Sequence, residues 1–510
     1  NFKFKTLTAN LADSLYPPTY WQSLSRQDLL EFNLIMSSAD ISNLSAAAQE
    51  SVTLGYSSKQ AVKSQPISLI YETLEYPVKI SFHGGGANDF VYNKIDYDIK
   101  ISGSKTINNY DSFTLFNPSI HGWIKPLLAN QIAASLNLFY NEQFPVAVKI
   151  NHKTSGIYLF EEKINAEFLK KRQLNQAQII KLRDETRLPH RINTVALNAH
   201  HLSGFDFAIA NIDPLDNQSE KTLFQLDQFF KAVKSQDLEQ IVQYIDLDYW
   251  ARYDAYRELL AIDHDTAGDN LAMFFQPLDN KFYPVVRNEG DLNQLSIIGG
   301  TTLKSFNQYD PHLADQYDYP RLFLLLNRQP EFRILKYKYL YQLVTQQNQL
   351  QENFSKIYSQ FANIFIYDTS DEASVWQKKR LFNNYLKIFD HNFSLIKQEL
   401  EFAQVAINII NTSGQTRIEI VPDAVIPVKF DQFDLEFQDK TIKSIVKTIN
   451  QRDIMADFSA DFNLIPTTFT FIIPTKIPAV AVQVKAQNKI TGTPLTGIYS
   501  AVASNNSPSD

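Results

Sequence analysis

The chain has 510 residues, 44% hydrophobic, 20% charged and 13% aromatic, with no cysteine and a formal net charge of −7. That length exceeds what one hydrophobic core sustains, so two or three domains are expected. The acidic balance argues against a dedicated nucleic-acid binder, and the missing cysteines exclude disulfides, thiol catalysis and zinc sites built on Cys.

No run of about 18 apolar residues offers a membrane-spanning helix. The chain begins at Asn1, as expected of a processed or trimmed N-terminus, and a cysteine-free composition suits an exported protein. The 36 Phe and 25 Tyr fall mostly in apolar periodic stretches, which assigns them to the core; sugar or protein contact surfaces are the alternative.

Residues 1–60 read as a lead containing Pro17 and Pro18, followed by a helix-capable stretch in which Ser37 and Ser38 precede Asp40. Short β-like runs follow at 67–71, 78–82 and 97–101, interrupted by Gly84-Gly85-Gly86. Residues 123–137 have the apolar spacing of an amphipathic helix, and 144–150 with 156–162 predict a hairpin turning at Ser155-Gly156. Helix returns at 168–172 and across 220–262. A polar loop at 263–270, a strand pair at 271–276 and 282–286 turning at Asp279-Asn280, and a Gly-containing loop at 288–292 come next. Residues 320–404 are nearly all helical. From 405 the pattern alternates β-branched and aromatic runs at 405–410, 417–421, 467–473 and 479–484, punctuated by proline, which predicts a C-terminal β-sandwich. No fixed repeat period is present.

Asp263-His264-Asp265-Thr266-Ala267-Gly268-Asp269-Asn270 concentrates carboxylate and amide groups after a helix, and a short hairpin leads from it to Asn288-Glu289-Gly290-Asp291. Phosphoryl transfer needs one carboxylate to orient the attacking hydroxyl, and an Asn plus an Asp to hold the metal ions that bridge the phosphates. Asp265 and Asn270 carry the spacing Asp-x-x-x-x-Asn, and Asp291 follows the hairpin; a solvated acidic turn is the alternative reading. Other patterns fail. His83-Gly84-Gly85-Gly86 has no Gly-x-Ser-x-Gly partner for hydrolase chemistry, so its glycines either cradle a phosphate or make a tight turn. The segment starting at Asp263 lacks calcium-loop ligands at Ala267 and Phe274, and the nine histidines show no zinc spacing.

Over roughly residues 27–400 the chain resembles the CotH (spore-coat protein H) family of secreted kinase-like proteins. The resemblance rests on Val78-Lys79-Ile80-Ser81-Phe82-His83-Gly84 and Tyr97-Asp98-Ile99-Lys100-Ile101, and on the helix from Leu127 to Leu138. It continues through Gly156-Ile157-Tyr158-Leu159-Phe160-Glu161-Glu162-Lys163-Ile164 and Phe168-Leu169-Lys170-Lys171-Arg172, the Glu289-Gly290-Asp291 triplet, and Asn327-Arg328-Gln329-Pro330-Glu331-Phe332-Arg333. It implies an α+β fold with a two-lobed, atypical protein-kinase-like core over 61–404 (N-lobe about 61–175, C-lobe about 220–404). The β-sandwich-like unit would span 405–510.

The resemblance also implies ATP and Mg2+ (or Mn2+) as cofactors and a secreted or surface protein as substrate. Asp265 would be the catalytic base, with Asn270, Asp291 and Glu289 as metal ligands. Lys100 and His83 would face the nucleotide, and Glu162 would orient the lysine or a metal. For Lys100 an ordinary edge-strand lysine is the alternative. Where the family carries Arg before Gly, Arg in its Tyr-Arg-Ile-Lys strand and Asp at the start of Asp-x-Asp, this chain has His83, Asp98 and Glu289. Two readings follow: an exported kinase that phosphorylates Ser or Thr, or a degenerate member serving as a surface or matrix scaffold.

Overall fold

The computed structural model describes residues 29–55, 58, 63–84, 94–184, 200–201, 207–210, 217–262, 271–287, 295, 320–368, 370, 373–402, 405–422, 426–445, 457–458, 464–465 and 468–500. Helices and several sheets alternate along it in a mixed α+β arrangement.

Strand β1 (Glu31–Ile35) leads into helix α1 (Ser38–Leu54), which begins there because Ser37 and Asp40 cap each other reciprocally and ends at Gly55 in the left-handed conformation. Strands β2 (Gln65–Tyr71), β3 (Leu74–Phe82), β4 (Tyr97–Ile101) and β5 (Ser112–Phe116) follow, then helix α2 (Lys125–Ser135) and the hairpin β6 (Gln143–Ile150) and β7 (Lys153–Glu162). Together the seven strands close a barrel in the order β1-β2-β3-β4-β5-β7-β6. Closure depends on β1, which pairs antiparallel with β2 and parallel with β6. The sequence pattern places β1 in the lead segment before residue 61; the pairing makes it a wall of the barrel.

Alternation decides what each strand presents. Phe32, Leu69, Ile80, Ile99, Phe113 and Phe160 point inward into one aromatic-rich core. Phe116 and Leu159 point outward, into a second and larger core shared with α2 and the helices beyond. The β6–β7 hairpin turns at Asn151-His152, both at positive φ, which suits a tight two-residue connection. The expected Ser155-Gly156 turn instead lies inside β7, where Gly156 has φ of 120°.

Helix α3 (Ala166–Lys171) leads to β8 (Gln178–Asp184), β9 (His200–His201) and β10 (Phe207–Ala210), then to helices α4 (Asn217–Lys234), α5 (Leu238–Tyr244) and α6 (Leu247–Leu260). Strands β11 (Ala272–Gln276) and β12 (Lys281–Val285) complete a sheet ordered β12-β11-β8-β10-β9. Helix α6 is buried along almost its whole length. Its Trp250 indole donates to Phe282 O at 2.8 Å, and Tyr249 Oη donates to Pro284 O at 3.1 Å, so α6 holds β12 in place. Val286 N donates to Phe139 O at 2.7 Å, which joins this sheet to the barrel side.

Helices α7 (Pro320–Arg328), α8 (Pro330–Thr345), α9 (Gln347–Tyr367) and α10 (Val375–Glu401) share one core with α6. Beyond them come β13 (Val405–Thr412), β14 (Gln415–Pro422), β15 (Val428–Phe437), β16 (Ile442–Ile445), β17 (Asp457–Phe458), β18 (Leu464–Ile465), β19 (Phe469–Pro474), β20 (Ala479–Asn488) and β21 (Pro494–Ser500). Two antiparallel sheets, β13-β14-β19 and β16-β15-β20-β21, share a core of Ile407, Ile418, Leu435, Val482 and their neighbours.

Candidate functional site

Strand register builds a polar row across the outer face of the barrel. Ser81 on β3 stands opposite Asp98 on β4, Asp98 opposite Thr114 on β5, Thr114 opposite Glu161 on β7, and Glu161 opposite Gln143 on β6. These side chains alternate with the inward aromatic and aliphatic residues, so the pleat forces all five onto one face. His83, just past the end of β3, leans over the row with its ring edge-on to Phe116 at 4.9 Å.

Asp98 is the hub. His83 Nδ1 lies 2.9 Å from its Oδ1, Thr114 Oγ1 donates to the same oxygen at 2.9 Å, and Lys163 Nζ pairs with it closely. Burial alone would raise the Asp98 carboxyl, but the His83 and Lys163 charges outweigh it and hold the group well below the ordinary carboxylate range. Side-chain exposures of 22% for His83, 32% for Asp98 and 23% for Lys163 leave the triad reachable by a ligand. Further along the row, Glu161 accepts from Gln143 Nε2 at 2.6 Å. Burial raises its pKa, and Arg287, Gln143, His83 and His121 pull the other way. Arg287, whose charge acts on Glu161, is the last described residue before the Asn288–Asp291 segment.

Lys100 shares the outer face with Asp98, standing exposed between Lys79 and Ser112. Glu162, one residue beyond Glu161, turns to the opposite side. Arg172 grips both its oxygens at 3.1 and 2.8 Å, Lys171 approaches at 3.2 Å, and Glu142 N donates at 3.1 Å. Glu162 therefore ties β7 to α3 and β6, and the lysine–carboxylate pair expected between Lys100 and Glu162 does not form. The pair on this face is Lys163 with Asp98. Spacing could not reveal it, because the contact spans 65 residues and depends on strand register.

Asp265, Asn270, Glu289 and Asp291 lie outside the described residues, but the flanks of their segments are fixed. Asn392 of α10 donates from Nδ2 to Leu259 O at 2.8 Å and accepts from Leu295 N at 2.9 Å. One buried amide thus ties the end of α6, which precedes 263–270, to the residue that follows 288–294. His391 Nε2 lies 3.0 Å from Leu295 O, a second anchor at that point. The Asn-Arg-Gln-Pro-Glu-Phe-Arg element serves elsewhere. Its Asn327 donates to Asp254 Oδ2 at 2.9 Å and accepts from Lys336 at 3.1 Å, inside a buried cluster with Arg257 and Glu258. Among the described residues, no group of three or more His, Asp or Glu side chains could hold a metal ion.

The frame is a mixed α+β arrangement, and the described residues that flank the two acidic segments are tied to α10. The chain belongs to the CotH kinase protein family, whose model matches residues 80–401. No curated protein matches it. No helix among the described residues is long and apolar enough to cross a membrane.

Proposed function

We propose that this protein is an exported phosphotransferase that moves the γ-phosphate of ATP to Ser or Thr hydroxyls of a secreted or surface protein. Its two-lobed core has the barrel as one lobe and α4–α10 with the second sheet as the other; the C-terminal sheets form a sandwich. His83, Lys163 and Lys100, on or beside the barrel's outer face, would hold the triphosphate. Asp265 orients the acceptor hydroxyl. Asn270 and Asp291, with Glu289, supply the oxygen ligands that Mg2+ or Mn2+ prefers.

One observation carries this reading: Asn392 ties together Leu259 and Leu295, which flank the two acidic segments. Membership of the family supports the reaction class. The second reading, a surface or matrix scaffold without catalysis, draws on Asp98. It stands where the family has arginine, and His83 and Lys163 direct their charge to it rather than outward. Incubation with γ-labelled ATP, Mg2+ or Mn2+ and a generic protein acceptor separates the two. The kinase reading expects metal-dependent label on the acceptor. Absence of transfer together with absence of any nucleotide-dependent thermal shift leaves the scaffold.

A further inference from the structure

Two strands of the polar row share one distant fastening. Asp368, in the connection between α9 and α10, has its Oδ2 bonded by Ile157 N at 3.0 Å and by Lys94 Nζ at 2.5 Å. Ile157 lies four residues before Glu161 on β7, and Lys94 lies four residues before Asp98, just ahead of β4. One carboxylate in the helical layer therefore holds two of the five strands that carry the row.

The fastening is built in detail. Lys94 and Asp368 are buried to 2% and 7% side-chain exposure, so this pair is shielded from screening by salt. Lys94 Nζ also donates to Ile157 O at 2.8 Å, and Asn117 Nδ2 fixes Lys94 O at 3.1 Å. Asp368 Oδ1 accepts from Ser370 N and Oγ at 3.1 and 2.6 Å, and Lys378 of α10 donates to Asp368 O and to Phe365 O. Gly156 completes the fit: a Cβ there would sit 1.7 Å from Ser370 Oγ and 2.8 Å from Lys94 Cε. Its backbone, at φ of 120°, also disfavours any side chain.

We propose that Asp368 is a positioning residue that seats β4 and β7 on the helical layer and so sets the distance from the Asp98–Glu161 row to α6 and α10. The same α10 carries Asn392, so the barrel row and the flanks of the acidic segments are referred to one helix. The catalytic part of this inference rests on the kinase reading; the fastening of the two strands does not.

The test compares Asp368→Ala and Asp368→Asn with Leu343→Ala, a core truncation in α8 chosen to lower the melting midpoint without touching the junction. Steady-state kinetics should show KM for ATP raised about tenfold or more in Asp368→Ala, because small misplacements of a bound reactant are costly. Asp368→Asn, which keeps one acceptor for Ile157 N, should fall between Asp368→Ala and wild type, and Leu343→Ala should leave KM unchanged. Equal KM in Asp368→Ala and Leu343→Ala overturns the proposal. If the wild type neither binds nor turns over ATP, the kinase reading fails, and amide hydrogen exchange then decides the fastening. Residues 94–101 and 156–163 should exchange faster in Asp368→Ala than in Leu343→Ala; equal rates overturn it.

Discussion

Two ionic clusters of similar composition sit in different surroundings. The first joins Asp98, His83 and Lys163 on the barrel's outer face, with 22–32% of each side chain exposed. The second joins Asp254, Arg257, Glu258 and Lys336 between α6 and α8, with exposures of 2% or less. Charges buried to this degree are held by each other and by Asn327, out of a ligand's reach, so the inner cluster is a structural joint. The outer cluster loses less by exchanging a partner, because water reaches it. Location, not composition, separates the joint from the candidate site.

The largest effect should come from the inner cluster. Lys336→Met leaves Asp254 and Glu258 buried without their shared cation, and should cost about 3–5 kcal/mol in denaturant unfolding. A cost below about 1 kcal/mol would mean that water enters the cluster, and the contrast with the outer one would collapse.

Asn392→Ala comes next. It strands the Leu259 carbonyl and the Leu295 amide, and about 1–3 kcal/mol should be lost. Phosphoryl transfer should fall much further than stability, because the flanks of both acidic segments lose their common anchor. Transfer that survives in a folded Asn392→Ala protein would separate that anchor from function.

A smaller effect is expected with pH. Burial pushes Glu258 from its ordinary 4.5 up to about 7, with Asp254 adding to the rise and Lys336 opposing it. Between those values the folded chain holds a proton that the unfolded chain has released. Glu258 therefore favours folding below about pH 4.5, and that contribution is lost as pH rises through 7. Melting midpoints should drop more in the wild type than in Glu258→Gln between about pH 5 and about pH 8. Parallel curves would contradict the assignment.

Much of the frame was legible from local pattern. The strands at 97–101 and 479–484, the helix at 123–137 and the helical run from 320 all follow from periodicity, which neighbouring residues settle among themselves. Strand β1 escaped because Glu31-Phe32-Asn33-Leu34-Ile35 is short and reads as part of a lead until β6 pairs with it. The hairpin turn was misplaced because Gly156 has the chemistry of a turn, whereas its lack of a side chain serves the approach of Ser370 and Lys94. The site was less legible than the frame. Glu161 and Glu162 are adjacent and chemically alike, and only the pleat sends one to the polar row and the other to Arg172. Lys163, Asp368 and Asn392 gave no local signal, since each acts on residues scores of positions away.

The assignment of roles is tested most directly by titrating Mg2+ and ATP, by calorimetry, into four proteins: wild type, Asp265→Ala, Asp291→Ala and Lys163→Ala. Transfer to an acceptor is measured on the same samples. The account predicts that Asp265→Ala binds Mg2+·ATP as the wild type does but transfers nothing. Asp291→Ala should lose the metal-dependent part of binding, and Lys163→Ala should bind about tenfold more weakly. Wild-type binding and transfer in all three variants would contradict it.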